Sequence, residues 1–557
     1  MRVDYIKKPY KDKVYSYPFL MSSYRDENGV SRNKVIQSLS HLPEHAVQAL
    51  RIALRSEGKV DSIPVDTIRY LDAVPFGDTW AVWSVMKQMG ILGALERFPQ
   101  NHQVPIIASI VDRVTNPKPY SKRALWDAFE SSSLKRLLGA DERIPLSQWY
   151  EALDSLYRCQ MEIQKQLFPG QIHKIYLYDI TSSYFEGTHC PMADWGYDRD
   201  GKKGKMIIVI GLLTTAEGRP IAVRVFPGNT NDQTTVIEQI RELKDQFGVE
   251  DIIFVGDRGM MTSKRIAELD SGDFDWVKYI TALRRQEMMG LVEDSQHPIQ
   301  LGLFDHHNLV EVAYEGKRYI LCHNPLRRVE DEQIRLRLLD KTEEKLKAIE
   351  KAVKAGRLKK KDRIARRLYR WINRWNMERF FEVEYGEGFF RFSRKRQEIQ
   401  RYSALDGCYV IVSNVNEPQM TPQEVHGRYK DLKYVENAFR SMKVSDLFLR
   451  PVRHWSETRV RGHVFMCMLA YLVVWEVRKR LDLLLQRDPE TNECEGKSLR
   501  EVWDTLKRIT IGCLSIAGIE SEQISPLTKE QRKMLKMLGT PIGKKASEML
   551  SLRNYTL

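Results

Sequence analysis

The chain has 557 residues, a formal net charge of +14, and hydrophobic and charged fractions of 42% and 29%. A chain of this length is expected to divide into several domains, and its ordinary globular composition excludes wholesale disorder. The positive charge favours a polyanionic partner such as nucleic acid, while association with ribosomes, a membrane surface or simple solubility are the alternatives.

Cysteine usage and apolar runs indicate the compartment. The seven cysteines are scattered and include no Cys-x-x-Cys pair, which predicts a reducing environment without a disulfide framework or a structural zinc site. The first residues lack the apolar segment of a signal peptide, and the longest apolar run, residues 464–475, is too short to cross a bilayer. We therefore expect a cytoplasmic protein with no membrane partner.

Two modules are predicted at the start of the chain. Residues 1–75 have strand and turn signals followed by a helix near 44–56, which together predict a small α+β module. Residues 76–168 have helical periodicity and are predicted to form a DNA-binding domain. The basic residues Lys118, Lys122 and Arg123 of this region indicate either phosphate contacts at a helix N-terminus or an ordinary solvated helix start.

The segment 169–284 is rich in strands. Its apolar runs predict, in order, three strands, a helix, a strand, a helix and a strand. The predicted strands cover residues 175–180, 206–213, 221–226, 252–255 and 276–283, and the first helix covers 232–247. This is the order of an α/β domain in which a meander runs into a crossover unit. Ribonuclease-H-like (RNase H-like) domains have this order, with acids on the first and fourth strands.

Two aspartates occupy those two strands. Asp179 closes the first apolar run, and Asp257 follows the run at 252–256. Each is predicted at the C-terminal end of a buried strand, where an ionised carboxylate is costly unless a metal ion or hydrogen bonds compensate. Such acids in so basic a protein suggest phosphate chemistry that depends on divalent cations.

Residues 285–405 break this pattern and are predicted to form an inserted α+β domain. A hairpin is expected over 309–322, and a charged helical segment over 330–379 is expected to turn near Gly356. The densest basic part of the chain lies there, with Asp362 as its single acid. Its cations are Arg357, Lys359, Lys360, Lys361, Arg363, Arg366, Arg367 and Arg370. We interpret this basic segment as a phosphate-contacting arm, the alternative being a solvated helix face.

The core is predicted to resume over residues 406–485. A strand is expected over 408–413, and a capping-box pattern at 421–424 begins the helix that carries Glu436. The remainder, residues 486–557, is predicted to be a helical tail.

Glu436 is the third candidate acid. Tyr429, Glu436 and Lys443 are seven residues apart, so one continuous helix would project them from one side at intervals of about 10 Å. Leu432 shares that side, which predicts an inward-looking face. An ion pair between Glu436 and Arg440 at i, i+4 is the alternative role for this acid.

Three separated carboxylates suit phosphoryl transfer by two metal ions. In that chemistry one cation activates the attacking oxygen and the other stabilises the leaving oxygen. Hard oxygen ligands favour Mg²⁺ or Mn²⁺, and we expect two ions per active site. Asp179, Asp257 and Glu436 are therefore the candidate catalytic and metal-binding residues.

Two segments resemble acidic motifs of DDE transposases from bacterial insertion sequences. The first runs from Tyr-Asp-Ile-Thr at 178–181 to Phe-Glu-Gly at 185–187. The second is Gly-Asp-Arg-Gly-Met at 256–260. With the segment that carries Glu436, the resemblance covers roughly residues 170–480 and keeps its motifs in order on suitable elements.

A third segment resembles the last motif of one large group of these enzymes, which reads Tyr, two residues, Arg, three residues, Glu, six residues, Lys. Tyr429, Glu436 and Lys443 keep that spacing, with leucine at the arginine position. The resemblance implies that Tyr429 and Lys443 contact the DNA ends. Arg258 is expected to contact DNA or to stabilise its own turn, and Arg440 to contact DNA or to pair with Glu436.

The resemblance implies an α/β fold, with an RNase H-like mixed-sheet core interrupted by an α+β insertion and flanked by mainly helical N-terminal and C-terminal regions. It implies Asp179, Asp257 and Glu436 as metal ligands, cleavage by water at the ends of a mobile element, and attack of the freed 3′-hydroxyl on target DNA. The implied partners are double-stranded DNA, at terminal inverted repeats and at the target, and a second copy of the chain in a homodimeric synaptic complex. A bacterial, nucleoid-associated location is also implied.

Two other functions fit the same residues. One is an RNase H-fold DNA nuclease or resolvase that does not carry out strand transfer. The other is a non-catalytic DNA-binding repressor derived from a transposase.

Overall fold

The structure is a computed structural model, and it forms two compact units. The first contains residues 1–85, 127–143 and 478–557, and the second contains residues 86–126 and 144–477. The residues that the structure describes are 2–10, 13–25, 29–55, 68–168, 174–199, 201–202, 204–249, 251–294, 297–299, 309–445, 447–450, 452–485, 496–516 and 519–543.

The strands and helices of the described residues follow one another along the whole chain. In chain order the strands are β1 (Arg2–Tyr10), β2 (Lys13–Arg25), β3 (Ser31–Ser38), β4 (Ile68–Pro75), β5 (Ile175–Tyr184), β6 (Ile207–Thr215), β7 (Pro220–Phe226), β8 (Ile252–Gly256), β9 (Val277–Ala282), β10 (Leu309–Tyr314), β11 (Lys317–His323), β12 (Phe381–Gly386), β13 (Phe389–Arg394), β14 (Cys408–Ser413), β15 (Thr510–Ile516) and β16 (Ile519–Ile524). The α-helices are α1 (Glu44–Arg55), α2 (Gly77–Gln88), α3 (Ile91–Leu95), α4 (Gln100–Thr115), α5 (Lys122–Phe129), α6 (Ser133–Leu138), α7 (Leu146–Arg158), α8 (Gln160–Leu167), α9 (Asp232–Phe247), α10 (Ser263–Leu269), α11 (Arg285–Glu293), α12 (Pro325–Lys354), α13 (Lys361–Ile372), α14 (Arg396–Ser403), α15 (Pro422–Lys430), α16 (Leu432–Arg440), α17 (Glu457–Arg480), α18 (Leu499–Lys507) and α19 (Lys529–Met537).

The first unit contains two small antiparallel sheets. In one of them β1, β2 and β3 form a meander, and α1 packs against β1. Val3, Leu39 and Val47 are buried in the small core between the sheet and the helix. In the other sheet β15 lies between β4 and β16.

This second small sheet corrects the prediction for the end of the chain. Residues 486–557 were expected to be helical, but β15 and β16 form a hairpin within that range. Thr510, Ile511 and Ile516 are β-branched and favour a strand. The partner strand β4 lies near the other end of the chain, so no local pattern indicated the pairing.

The second unit is built on a mixed sheet that has eight strands within the described ranges. Its strand order is β10-β11-β14-β9-β8-β5-β6-β7. β8 is parallel to both β5 and β9, and every other neighbouring pair is antiparallel. β6 and β8 are buried along their whole length, as is usual for continuous apolar runs that are covered on both faces. The fold is therefore mixed α/β.

The apolar runs predicted β5, β6, β7, α9, β8 and β9 in this order, and the structure confirms these elements. One part of the prediction is wrong. The hairpin of β10 and β11 was assigned to the insertion, whereas β11 pairs with β14 and extends the main sheet. The helices and the hairpin that follow have a separate core, because Leu339, Leu346, Ile364 and Phe390 pack together away from that sheet.

Two glycines allow close approaches that any side chain would block. Tyr178 of β5 is fully buried, and its hydroxyl lies where a Cβ at Gly211 of β6 would stand. At Gly462 of α17 a Cβ would meet the carbonyl oxygen of Leu153 in α7. Such contacts leave no room for an added methyl group in a close-packed interior.

α17 is the one helix of the described residues that is long and apolar enough to cross a membrane, with a mean hydropathy of 1.4 in its most apolar window. In the structure, 83% of that window is buried inside the protein. Such burial is typical of a helix in the core of a globular protein.

Lys122, the first residue of α5, was expected either to contact phosphate or to belong to an ordinary helix start. The ammonium group of Lys122 donates a hydrogen bond to Ser109 Oγ at 2.7 Å, and burial lowers the pKa of Lys122 to about 7. This inward contact favours a structural role for Lys122 over a phosphate contact.

Candidate active site

The pairing of β5 with β8 brings two aspartates together. The strands run parallel with Tyr178 opposite Gly256, so the residues that follow, Asp179 and Asp257, lie at the same edge of the sheet. Asp179 Oδ1 accepts a hydrogen bond from the Ile180 amide at 2.8 Å. Both aspartates are half-buried. The prediction that Asp179 closes its strand is wrong, because β5 continues to Tyr184 beside β6.

Glu436 comes from a helix that differs from the predicted one. Instead of a single helix from Tyr429 to Lys443, α15 ends at Lys430, α16 follows, and residues 441–445 form a π-helical turn. The prediction of an inward-looking Glu436 is wrong: Leu432, Val435, Ala438 and Phe439 form the buried face of α16, and Glu436 is exposed.

The three acids share one electrostatic environment. Burial, together with repulsion from the Asp257 and Glu436 carboxylates, raises the pKa of Asp179 to about 7, although the Ile180 amide and the Arg199 guanidinium partly oppose the shift. A carboxyl group that is raised in this way by neighbouring acids is typical of sites that hold cations or perform acid–base chemistry. Across the described residues, however, no group of three or more His, Cys, Asp or Glu side chains is close enough to hold a metal ion.

An open cleft of ≈ 820 Å³ contains Asp257 and Glu436. Besides one further acid, Asp331, its lining combines six cations with three tyrosines, which is the chemistry that binds phosphates and bases. The cations are Arg258, Arg284, Arg285, Arg327, Lys430 and Lys433. The tyrosines are Tyr402, Tyr409 and Tyr429. The cleft therefore has a positive lining around two of the three acids.

Three residues of this cleft surround Asp257. Arg258 is exposed, and its carbonyl oxygen accepts a hydrogen bond from Arg284 Nε at 3.3 Å. Arg284 Nη2 also donates to the Gly259 carbonyl at 3.0 Å, so this arginine holds the turn that follows β8. The hydroxyl of Tyr429 lies 3.5 Å from Asp257 Oδ1, and burial followed by the Asp257 charge raises the pKa of Tyr429.

Comparison with protein families identifies the kind of DNA-acting protein to which this cleft belongs. Residues 170–473 match the model described as "Transposase DDE domain", which spans more than half of the chain and includes all three acids. The chain belongs to the DDE transposase family. Residues 3–65 match the model of the N-terminal domain of IS1634 family transposases, so the transposase is that of an insertion sequence.

No curated protein matches the transposase. Among solved structures, a cryo-electron-microscopy structure of the piggyBac transposase in a synaptic complex with hairpin DNA is similar at 8% sequence identity. The similarity covers 78% of this chain and 82% of that chain, with a TM-score of 0.38. A score this low carries no argument here.

Family membership establishes a DNA transposase, an enzyme of metal-dependent DNA phosphoryl transfer. The chemistry of the three acids fits a divalent ion, because carboxylates supply hard oxygen ligands, although among the described residues no three such side chains are close enough to hold one as they stand. A cation would also relieve the burial and the repulsion that raise the pKa of Asp179 to about 7.

Lys443 of the transposase lies elsewhere than predicted. Its side chain is 7% exposed, and its ammonium donates hydrogen bonds to Thr181 Oγ1 at 2.5 Å and to the Ser182 carbonyl. Thr181 and Ser182 lie two and three residues after Asp179 in β5. Lys443 therefore holds the strand that carries Asp179, and a contact with a DNA end would require these bonds to break. Arg440 is exposed and is absent from the cleft lining.

Replacing Lys443 with Met tests this assignment. The change leaves the Thr181 hydroxyl and the Ser182 carbonyl without their partner, and we expect the free energy of unfolding to fall by about 1–3 kcal/mol. The slope of log affinity against log salt for duplex DNA should stay unchanged, because an internal lysine neutralises no phosphate. A slope reduced by about 0.9 would instead show a direct phosphate contact.

Sequence reasoning missed several residues of the site. Arg284 and Arg285 come just after β9, beyond Leu283, and line the cleft, so their position near a strand end was a usable signal. Lys433 and Arg327 also line the cleft but come from other elements. Arg199 lowers the pKa of Asp179 from a loop after β5, and no sequence pattern indicated it.

Proposed function

We propose that this transposase cuts DNA at the terminal inverted repeats of its element and joins the freed ends to target DNA at one active site formed by Asp179, Asp257 and Glu436. The proposal is supported by the effect of the Asp257 and Glu436 carboxylates on the pKa of Asp179. Three acids from separate elements that act on one another suit a shared cation site.

Asp179, Asp257 and Glu436 would hold Mg²⁺ or Mn²⁺, two ions per active site. When bound, such ions activate the attacking oxygen and stabilise the leaving oxygen. Arg258, with the other cations of the cleft, would neutralise the phosphates on either side of the scissile bond. Tyr429 would contact the DNA end beside Asp257, and the exposed Arg440 would contact DNA outside the cleft.

The reaction that follows has two phosphoryl transfers. In the first, a water oxygen attacks the phosphorus at the element end, the bond to the 3′ oxygen breaks, and a 3′-hydroxyl and a 5′-phosphate are left. In the second, that 3′-hydroxyl attacks a phosphodiester of the target, joins the element end to it and releases a new 3′-hydroxyl. Each step exchanges one P–O bond for another, so positioning and charge stabilisation are the main tasks of the protein.

The proposed catalytic core is RNase H-like. It is supported by the strand order β7-β6-β5-β8-β9, in which a meander is followed by two strands parallel to the first. We propose residues 169–284 and 406–485, with the hairpin of β10 and β11 that extends their sheet, as the core, and the helical segment with its own hydrophobic core as the insertion. We also propose residues 76–168, which divide between the two compact units, as the segment that reads the element ends, and residues 1–75 as an N-terminal module of which β4 pairs with β15. We propose a homodimer that pairs two ends in the bacterial cytoplasm, associated with the nucleoid.

A strand-transfer assay tests the proposal. The substrate is a duplex that carries the inverted repeat flanking the gene, incubated with a supercoiled target plasmid and Mg²⁺ or Mn²⁺. We expect cleavage that leaves a 3′-hydroxyl and then covalent joining to the plasmid, both of which a chelator should abolish. Cleaved but never joined ends would identify a nuclease or resolvase instead. Binding without cleavage in either metal would identify a repressor.

A further inference from the structure

The insertion contains a second concave site, which shares no residue with the acidic cleft. It is a pocket of ≈ 470 Å³ lined by five arginines, with Ala352 and Leu358 as its only apolar lining residues. The arginines are Arg357, Arg363, Arg366, Arg367 and Arg370. We call it the arginine pocket. The three lysines of the same basic segment, Lys359, Lys360 and Lys361, do not line it.

The backbone under the arginine pocket is held by buried side chains and by hydrogen bonds. On the opposite face of α13, Ile364, Leu368 and Ile372 are at most 3% exposed and pack into the separate core of the insertion. The amides of Arg357 and Leu358 both donate to the Ala352 carbonyl, at 3.0 and 3.1 Å, and this closes the turn after α12. The guanidinium groups are therefore presented on a fixed scaffold, which lowers the entropy lost when a ligand binds.

The charges of the pocket are not balanced by acids. Within the described residues, none of the five arginines makes an ion pair with a carboxylate, and Asp362 is the only acid between 357 and 370. The neighbouring helix α12 behaves differently, because Lys347 pairs with Glu343 at 2.6 Å and Lys354 pairs with Glu350 at 2.8 Å. All five arginines are exposed, so water screens part of their mutual repulsion, and a bound anion would relieve the rest.

We propose that the arginine pocket binds backbone phosphates of duplex DNA, as an anchor separate from the acidic cleft. Arg363, Arg366, Arg367 and Arg370 lie at i, i+3, i+4 and i+7 on one face of α13, a span of about 10.5 Å. That span matches about three phosphates of one strand at roughly 3.4 Å per step along the duplex axis. Arginine forks bind phosphate oxygens in pairs, and such contacts carry no sequence information. The proposal rests on the proposed function only in taking DNA as the ligand.

The test compares two variants that each lose three charges from the same basic segment. One is Arg363→Gln, Arg366→Gln and Arg367→Gln, inside the pocket, and the other is Lys359→Gln, Lys360→Gln and Lys361→Gln, outside it. Binding of a labelled DNA duplex of arbitrary sequence is measured by fluorescence anisotropy over a range of salt concentrations, with circular dichroism to verify the fold. We expect the pocket variant to lose about 2.7 from the slope of log affinity against log salt, and the lysine variant less than about 1.

The outcomes separate this proposal from the proposed function. Equal slope losses in both variants would show that DNA contacts a diffuse positive surface. No loss in either variant would show that DNA does not touch this segment. Either result overturns the proposed phosphate anchor but leaves wild-type DNA binding and strand transfer unaffected. A loss seen with an RNA duplex and not with DNA would also overturn it. If wild-type protein shows no salt-dependent binding to DNA, the proposed function itself fails.

Discussion

Replacement of Asp179 or Asp257 by Asn, or of Glu436 by Gln, is expected to lower the rate of metal-dependent DNA cleavage by about 10³-fold or more. Each amide keeps the size of the carboxyl group but loses the charge that a divalent cation requires. A loss of this size corresponds to about 4 kcal/mol of transition-state stabilisation. The measurement is cleavage of a duplex carrying the element end, under conditions in which wild-type protein cuts.

The same three variants should still bind duplex DNA. Removing a negative charge beside phosphate lowers repulsion, so affinity should stay the same or rise. Asp251→Asn is the matched control: Asp251 is exposed and precedes β8, whereas Asp257 follows the same strand. We expect wild-type cleavage from the control. Retained cleavage in any of the three active-site variants would remove that residue from the proposed site.

The second large effect concerns stability and the buried acid Asp406, which is 4% exposed. Its carboxylate pairs with Arg285 at 2.7 Å and with Arg335 of α12, and so ties the insertion to the residues before β14. Replacement of Asp406 by Ala would leave two largely buried guanidinium groups without their counter-ion. We expect the free energy of unfolding to fall by about 3–5 kcal/mol in urea denaturation.

Asp340→Ala is the control for this change. Asp340 also pairs with an arginine, Arg394 at 2.7 Å, but its side chain is 69% exposed. Water screens that pair, so its loss should cost less than about 1 kcal/mol. A cost for Asp406→Ala as small as that of the control would mean that the pairs with Arg285 and Arg335 are solvated in solution.

Arg285 also connects this ion pair to the acidic cleft. Its guanidinium lies 4.0 Å from the centre of the Tyr402 ring and donates to the Tyr402 carbonyl at 2.6 Å. Both residues line the cleft. Loss of Asp406 should therefore disturb one wall of the cleft as well as global stability.

Local patterns were sufficient for much of the catalytic unit. Apolar runs predicted the strands β5 to β9 in order, and the capping box at Thr421 and Glu424 begins α15 as expected. Asp179 and Asp257 could be expected to lie together, because a crossover connection makes the fourth strand parallel to the first. The apolar runs and the capping box are patterns of residues that are close in sequence. The position of the two aspartates follows from the general rule that a crossover connection joins parallel strands.

The direction of individual side chains was not predictable in this way. Spacing alone put Tyr429, Glu436 and Lys443 on one face, but the helix is interrupted at Asp431 and ends in a π turn, so Glu436 is exposed and Lys443 is buried. Which side of a helix is buried depends on what packs against it. That information lies in residues such as Thr181, far away in sequence.

What the sequence determined by itself is the order of elements, the positive charge and the three acids in their motifs, because periodicity, composition and residue type are properties of short segments. Only the tertiary structure decided that the hairpin of β10 and β11 extends the main sheet, that β15 pairs with β4, and that five arginines of the insertion converge on one pocket. These arrangements depend on contacts between distant segments, and the free energy of such contacts cannot be assessed from either segment alone.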